Sequence, residues 1–584
     1  MAAMPHGGAP TQRSRRLPPL RYSRAASLSG SEALEVEGDS LTSTAADSRL
    51  ADVCRLRITR IRRGVDNPGD AEAATGADFR DAGAGNPPAT RVCGADCRRH
   101  RVALGFGAGR RARPPRRRAL RLLAIAASLA AAAARAEWPA DRRLADETAS
   151  LLAALVRVDT TNPPGAELPA ARLLADRLAA EGIVAEVFES EPGRGNLHAR
   201  LPGRGTRRPV VLLSHLDVVP ADPRGWRHPP FAGVRAGGRV WGRGAIDAKG
   251  VAAVHAMTLV TLKRRGVVLD RDVILLATAD EERGGAAGAG WVTRMRPELV
   301  AGAEFLVTEG DHVRARRTAG GRHTRVVQVA VAEKTPCWLR LTAAGSAGHG
   351  SLPPSATAVT RLVRALDRLV AEPTPIRVVP SVARYFAALA ALEEEPLRSR
   401  LVRLDEALAD PVFRVAFLEH PRQAALVRAT LTPTVLAGSP KTNVIPPEAS
   451  AEVDARLLPG DDPAAFVERA RRIVADPAVR IETVLSFTAS SSDPESALVD
   501  AVRVLARTQL DGAPVVPSVL AGFTDSHWFR DLGVASYGFV PWVLGEDDQE
   551  TVHGTDERVA EANLRDAVVR MVVLLTALDR GTGR

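Results

Sequence analysis

The stretch Val210-Val211-Leu212-Leu213-Ser214-His215-Leu216-Asp217 decides how the rest of the chain is read. A short β-rich run ends abruptly in polar residues, so a histidine and an aspartate stand just past the end of a strand. Upstream, helical patterns cover about Asp141 to Val156 and Glu167 to Ala180, followed by a β-rich run at Val184 to Phe188. Downstream, a helix is expected from Gly250 to Arg264, a strand from Val273 to Ala277 and another near Phe305 to Val307. Strands alternating with helices imply an α/β domain whose largely parallel sheet is covered on both faces. In such sheets ligands gather at the carboxyl ends of the strands.

Those ends carry the chemistry. After His215 and Asp217 comes Trp241-Gly242-Arg243-Gly244-Ala245-Ile246-Asp247-Ala248-Lys249-Gly250. The next strand ends in Asp280-Glu281-Glu282, the one after it in Thr308-Glu309-Gly310, and Thr551-Val552-His553-Gly554 follows much later. Imidazole with carboxylate is a ligand set suited to zinc, with manganese or cobalt as substitutes. Alone, Asp280-Glu281-Glu282 would read as a solvated turn; beside the other blocks it reads as part of a site.

The order and length of these blocks give a family resemblance. SHLDVVPAD, GRVWGRGAIDAKG, DEERGG, GHGSLPP, TNVIPPEA and TVHG resemble the acetylornithine deacetylase, succinyl-diaminopimelate desuccinylase and carboxypeptidase S group over about residues 144–578. WRHPPF and Glu333-Lys334 look closest to the branch of carboxypeptidase S and the secreted N-acyl-amino-acid hydrolases. The resemblance implies two zinc ions, with His215, Asp247, Glu282, Glu309 and His553 as ligands. Asp247 bridges, and Glu282 completes one site. Where relatives often carry an acidic pair, Thr308 precedes Glu309, so only Glu309 can serve. Asp217 would fix the His215 imidazole, and Glu281 would be the general base toward the metal-bridging water. The chemistry fits an amide, a poor electrophile attacked by a poor nucleophile: two ions about 3.5–4 Å apart activate water and polarise the carbonyl. A neighbouring carboxylate takes the proton and passes it to the leaving amine.

Between Glu333 and about Leu485 the pattern shifts to a second α+β unit, with a strand at Trp338 to Ala343 and a helix and strand around Phe466 to Val484. The expected organisation is a catalytic domain over 137–334 and 488–584, interrupted by a lid and dimerisation domain at 335–487. The resemblance implies that His349 stabilises the oxyanion, often from a partner subunit, while Asn443 and Arg456 hold the substrate carboxylate. Arginine suits that task through its planar fork. The bland alternatives are a tight turn for His349 and an ion pair with Asp454 for Arg456. Thr524-Asp525-Ser526 resembles a substrate-side block without clear individual roles. The other histidines, His198, His228, His255, His312, His323, His420 and His527, are read as structural.

The N-terminal region is different. Residues 1–117 lack any sustained period and read as disordered or as an artefact of an upstream start codon. Arg116 to Arg118, the apolar run Leu122 to Ala134 and the small residues Ala134 and Ala136 describe a signal peptide over 118–136, an uncleaved anchor being the alternative. Initiation at Val102 would place Arg110 to Arg118 in a proper basic region, so the functional protein is expected to begin at Glu137. Cys93 and Cys97 suggest half a zinc site but no second pair follows, and Cys337 is left without a disulfide partner.

The formal charge of +11 rests on 79 basic residues, of which only Lys249, Lys263, Lys334 and Lys441 are lysine. Such an arginine bias, with many arginines far upstream, reflects coding composition and argues against nucleic-acid binding. The expected protein is thus a secreted or periplasmic metallocarboxypeptidase or N-acyl-amino-acid amidohydrolase. Its substrate is a small N-acyl amino acid or short peptide, its assembly a homodimer, with no membrane span beyond an N-terminal anchor. A cytoplasmic-type biosynthetic deacylase and a non-catalytic binding protein on the same fold are the alternatives.

Overall fold

The computed structural model describes residues 142–317 and 323–581, without the side chain of Glu546. The expectations for the 1–117 extension and the 118–136 signal peptide lie outside the described residues. Among the described residues, no helix is long and apolar enough to cross a membrane.

The chain opens with α1 (Arg142–Arg157), α2 (Leu168–Ala179), β1 (Ala185–Glu191), β2 (Arg194–Leu201) and β3 (Val210–His215). A small ribbon of β4 (Val234–Ala236) and β5 (Arg239–Trp241) leads to α3 (Lys249–Arg264), β6 (Val273–Thr278), α4 (Ala289–Met295), β7 (Phe305–Arg317) and β8 (His323–Glu333). All six residues of β3 and all six of β6 are buried, as expected for central strands with helices on both faces. Strand alternation splits them between two cores: Val210, Leu212, Leu275 and Ala277 face one, Val211, Leu213, Ile274 and Leu276 the other. Helix α3 is apolar nearly all round and buried from Lys249 to Leu262, so it lies within the larger core rather than on the surface.

The inserted unit begins with β9 (Thr335–Ala344), β10 (Gly348–His349) and α5 (Ala358–Ala371). A helical module follows: α6 (Pro380–Ala390), α7 (Leu397–Val402), α8 (Leu404–Ala407), α9 (Pro411–Leu418) and α10 (Pro421–Val427). It continues through β11 (Thr430–Ala437), β12 (Val444–Ile445), β13 (Glu448–Leu457), α11 (Pro463–Val474) and β14 (Val479–Ser486). Four of these strands form an antiparallel sheet in the order β11-β13-β9-β14, and α5 and α11 cover one face. Thr357 starts α5 with a capping box to Thr360. Asp462, followed by Pro463, caps α11. On β13 the residues from Ala449 to Leu457 alternate, so Ala449, Ala451, Val453, Ala455 and Leu457 are buried under those helices. Glu452, Asp454 and Arg456 consequently share the opposite face. The helical module packs its own apolar cluster, including Tyr385, Phe386, Phe413 and Phe417, on β8 and on β15 (Val515–Leu520).

The chain then returns through α12 (Ala497–Gln509), β15, α13 (Ser526–Arg530), β16 (Ala535–Leu544), α14 (Glu546–Gln549), β17 (Arg558–Ala560) and α15 (Glu561–Arg580). The catalytic sheet runs β1-β2-β6-β3-β7-β16-β8-β15. β6, β3, β7 and β16 are parallel neighbours, and β1 and β2 join antiparallel at one edge. The fold is therefore a mostly parallel eight-stranded catalytic domain with a separate antiparallel insert. β7 runs ten residues past the expected Val307, because beyond Thr308 it zips onto β8 as a hairpin from Val313 to Arg317.

Candidate metal centre

The site is assembled from strand ends. His215 is the last residue of β3, Asp247 precedes the first turn of α3, and Glu281 and Glu282 start a short 3₁₀ turn after β6. Glu309 lies on β7 and His553 on the loop before β17. His215 Nε2 is 3.0 Å from Asp247 Oδ1 and 3.2 Å from Glu309 Oε2. His553 Nε2 is 3.2 Å from Asp247 Oδ2 and 3.6 Å from Glu282 Oε1. The two oxygens of Asp247 thus face different imidazoles. Glu281 stands beside this set, its Oε2 4.0 Å from His215 Nε2.

Buried polar groups hold these residues in place. His215 Nδ1 is 3.0 Å from the Asp217 main-chain oxygen, whereas the Asp217 carboxylate is farther away, at 3.5 Å. That carboxylate accepts instead from the main-chain N–H of Glu281 at 3.1 Å, that of Glu282 at 3.2 Å and Asn162 Nδ2 at 2.8 Å. Asp217 therefore ties the β3 end to the turn carrying the acidic pair. Asp280, in the left-handed region at φ 72°, accepts from Asn162, Arg194 and the Ala287 N–H. Sequence reasoning missed Glu557. Its fully buried carboxylate accepts from Arg243 Nη1 at 2.8 Å and from the N–H groups of Gly244, Ile246 and Asp247. Arg243 Nη2 also donates to the Gly554 oxygen, beside His553, so one buried ion pair pins the loops bearing both residues. The available signal was an acidic residue four positions after His553.

Four carboxylates, those of Asp247, Glu281, Glu282 and Glu309, crowd a largely buried space. Burial, then the charge of Glu309, pushes the Glu281 carboxyl well above its usual range. Burial likewise pushes Glu309 up to about 8. Such crowding calls for positive charge, and the donors are imidazole nitrogens and carboxylate oxygens, a set fitting zinc. Ligand atoms of His215, Glu281 and Glu309, and of His215, Asp247 and Glu282, all fall within 4.8 Å of one another. Glu282 Oε1 is buried without a hydrogen-bond partner, as a metal ligand would be before loading. The residues present fit a metal centre.

Comparison with known proteins agrees with this geometry. Residues 211–577 match the model of peptidase family M20/M25/M40. The chain belongs to that family. It is 31% identical over 375 residues to N-fatty-acyl-amino acid synthase/hydrolase PM20D1 of Xenopus tropicalis, covering 64% of this chain and 72% of that protein. Probable carboxypeptidase S-like 2 of Dictyostelium discoideum is 28% identical over 368 residues, covering 62% and 70%. Human carnosine dipeptidase 1 shares the fold with a TM-score of 0.59 at 17% identity, covering 75% of this chain and 96% of the solved one. The M20 family metallo-carboxypeptidase Sso-CP2 of Sulfolobus solfataricus gives 0.58 at 18% identity, covering 74% and 99%.

In this M20/M25/M40 protein the candidate metal centre opens into a cavity of about 610 Å³ between the catalytic domain and the insert. Its lining includes the apolar residues Ile246, Val251, Val540, Trp542, Leu544 and Val552 of the catalytic domain; the insert contributes Trp338, Glu452, Asp454 and Arg456. Arg456 thus reaches the cavity, but its Nε and Nη2 are paired with Asp454 at 2.6 and 3.0 Å, and it lies over the rings of Phe523 and Trp338. His349 and Asn443 are not brought to this cavity. They sit exposed on the β10–β12 ribbon, where the Gly350 N–H donates to the Asn443 oxygen. The Thr524-Asp525-Ser526 block acts as a tie: Thr524 donates to Glu333 at the end of β8, and Asp525 accepts from Thr278 at the end of β6.

Proposed function

We propose that the protein is a two-zinc amidohydrolase that removes an apolar acyl group from an amino acid bearing a free carboxylate. The observation that carries this reading is the pair of imidazole–carboxylate sets sharing Asp247, which line a cavity that also holds apolar side chains and Arg456. His215, Asp247 and Glu309 would hold one ion, and Asp247, Glu282 and His553 the other; cobalt and manganese are substitutes. When bound, the ions activate water and polarise the amide carbonyl. Glu281, a buried carboxylate held through its N–H by Asp217, takes the proton and delivers it to the leaving amine. The apolar lining residues receive the acyl chain, in keeping with the fatty-acyl substrates named for the frog relative. Arg456 faces the amino-acid carboxylate, which would exchange for Asp454 on its fork.

The oxyanion donor and the Asn443 contact come from a second subunit in this reading. The edge strand β11 exposes Val435 and Leu436, and α5 exposes Val359, Val363 and Val370, a surface suited to a second copy of the insert. Export through the 118–136 segment completes the proposal. A carboxypeptidase acting on short peptides is the second reading, favoured by the similarity to carboxypeptidase S-like proteins. A panel of N-acyl amino acids, their amides and dipeptides, assayed with and without a chelator, decides the matter. Chelator-sensitive hydrolysis of N-acyl amino acids above dipeptides is expected; activity untouched by metal removal would overturn the metal reading.

A further inference from the structure

Where the insert meets the cavity, an ion pair lies against aromatic rings. Glu452, Asp454 and Arg456 share one face of β13, and all three line the cavity with Trp338 of β9 and Phe523, which follows β15. Glu452 is already paired with Arg340, whose Nε and Nη2 donate to it at 3.1 and 2.6 Å. Arg456 turns the Nε–Nη2 edge of its fork to Asp454, at 2.6 and 3.0 Å, one bond to each carboxylate oxygen. That is the two-bond geometry in which a guanidinium takes any carboxylate.

A second set of contacts holds the guanidinium without Asp454. Its carbon lies 4.8 Å from the ring centroid of Phe523 and 5.5 Å from that of Trp338. These rings are braced in turn: Trp338 meets Phe523 edge-on at 5.8 Å, Phe523 meets Phe487 edge-on at 5.4 Å, and Phe487 stacks on His527. The main chain of Arg456 is paired on both sides, with Thr430 of β11 and Pro336 of β9. Strand and rings together place Arg456, so its ion pair is free to open. Asp454 is also the more exposed half of that pair, 32% against 19%, so the pair shows the cavity more of its carboxylate than of its guanidinium.

Hydrolysis leaves the gripped carboxylate as it was. As the C–N bond breaks, water supplies OH to the acyl carbon and a proton to the amine nitrogen, and the amino acid departs with its own carboxylate intact. A grip of this kind holds substrate and amino-acid product alike, which lowers KM and slows release without helping the chemical step. We propose that Asp454 is an internal competitor for Arg456: its carboxylate occupies the fork in the free protein, weakens the binding of every free-carboxylate ligand, and returns to the fork to displace the amino-acid product. It rests on the proposed amidohydrolase activity and adds to it a residue that sets affinity and release. A ligand with a neutral carboxamide in place of the carboxylate leaves the ion pair closed.

Asp454→Asn, close in size and uncharged, is the test variant, with Asp454→Ser beside it should the first fail to fold. In the zinc-loaded full chain, the KM of N-octanoylalanine and the inhibition constant of free alanine are expected to fall together by about five- to fiftyfold, because an occupied fork lowers apparent affinity by the fraction of time it is free. The KM of N-octanoylalaninamide should not move. The ketone isostere of N-octanoylalanine, in which a methylene replaces the amide nitrogen, cannot be hydrolysed, so its calorimetric titration reads the fork without turnover. Tighter binding of this acid in Asp454→Asn, with no gain for its carboxamide, supports the competitor even if no amide is cleaved and the amidohydrolase reading fails. Unchanged or weaker binding of the acid in the variants would overturn it, weaker binding making Asp454 a residue that orients Arg456. A gain shared equally by acid and carboxamide would overturn it as well, because the charge of the ligand would then be irrelevant.

Discussion

Glu557→Ala offers the sharpest test of how the centre is held. The substitution removes the partner of Arg243, whose side chain is 3% exposed, and the acceptor for the N–H groups of Gly244, Ile246 and Asp247. A buried guanidinium left without its carboxylate costs about 3–5 kcal/mol. The three stranded N–H groups would add to this were they not partly relieved by water, so about 4 kcal/mol is expected in urea unfolding of the chelated protein. Glu557→Gln keeps the volume and one acceptor oxygen but turns a donor toward donors, and should cost about 1–3 kcal/mol. Because Asp247 and the His553 loop hang on the same pair, zinc affinity should fall by roughly ten- to hundredfold in either variant. Arg243→Met combined with Glu557→Met removes both charges and should be less damaging than Glu557→Ala alone. A Glu557→Ala protein within about 1 kcal/mol of wild type, with unchanged zinc affinity, would refute the argument.

Four further outcomes are expected. Glu281→Gln should retain its metal, by elemental analysis, while turnover falls at least about a hundredfold; loss of zinc would make Glu281 a ligand instead. Exhaustive chelation should abolish hydrolysis and lower the melting temperature, with recovery on adding zinc or cobalt; an unchanged melting curve would argue against bound metal in the native protein. Arg456→Ala should raise KM for free-carboxylate substrates about ten- to hundredfold and spare their amides, which parallel kinetics on the two substrates would show. Arg264, with Arg177, holds Glu181 down to about 2, joining the ends of α2 and α3. A carboxylate depressed on folding stabilises above its unfolded value and loses that contribution as pH falls through the folded one. Glu181→Gln should therefore destabilise by up to about 1 kcal/mol at pH 7, a difference that fades between about pH 4.5 and 2; a pH-independent difference would rule out the ion pair as its cause.

Much of the chemistry was open to reading because it is local. A β-rich run that stops at His215, a second that stops at Asp280-Glu281-Glu282, and the blocks bearing Asp247 and His553 name candidate ligands by residue type and position. The alternation along Glu448–Leu457 likewise separates the buried face from the face bearing Arg456. The α/β class follows from the same periodicities, which depend only on a helix or strand having one face toward a core.

Pairing across distance is another matter. No spacing tells that the two oxygens of Asp247 face His215 and His553, which lie more than 300 residues apart, or that Glu557 accepts from Arg243 and three main-chain N–H groups. The same limit hid that the Asp217 carboxylate lies nearer the Glu281 and Glu282 N–H groups than the His215 ring, and that Arg456 reaches the cavity while keeping the Asp454 ion pair its strand had suggested. Residue type and period record what each segment does with its own neighbours. Which buried carboxylate meets which donor depends on how the loops at the strand ends close over one another, and only the folded chain decides that.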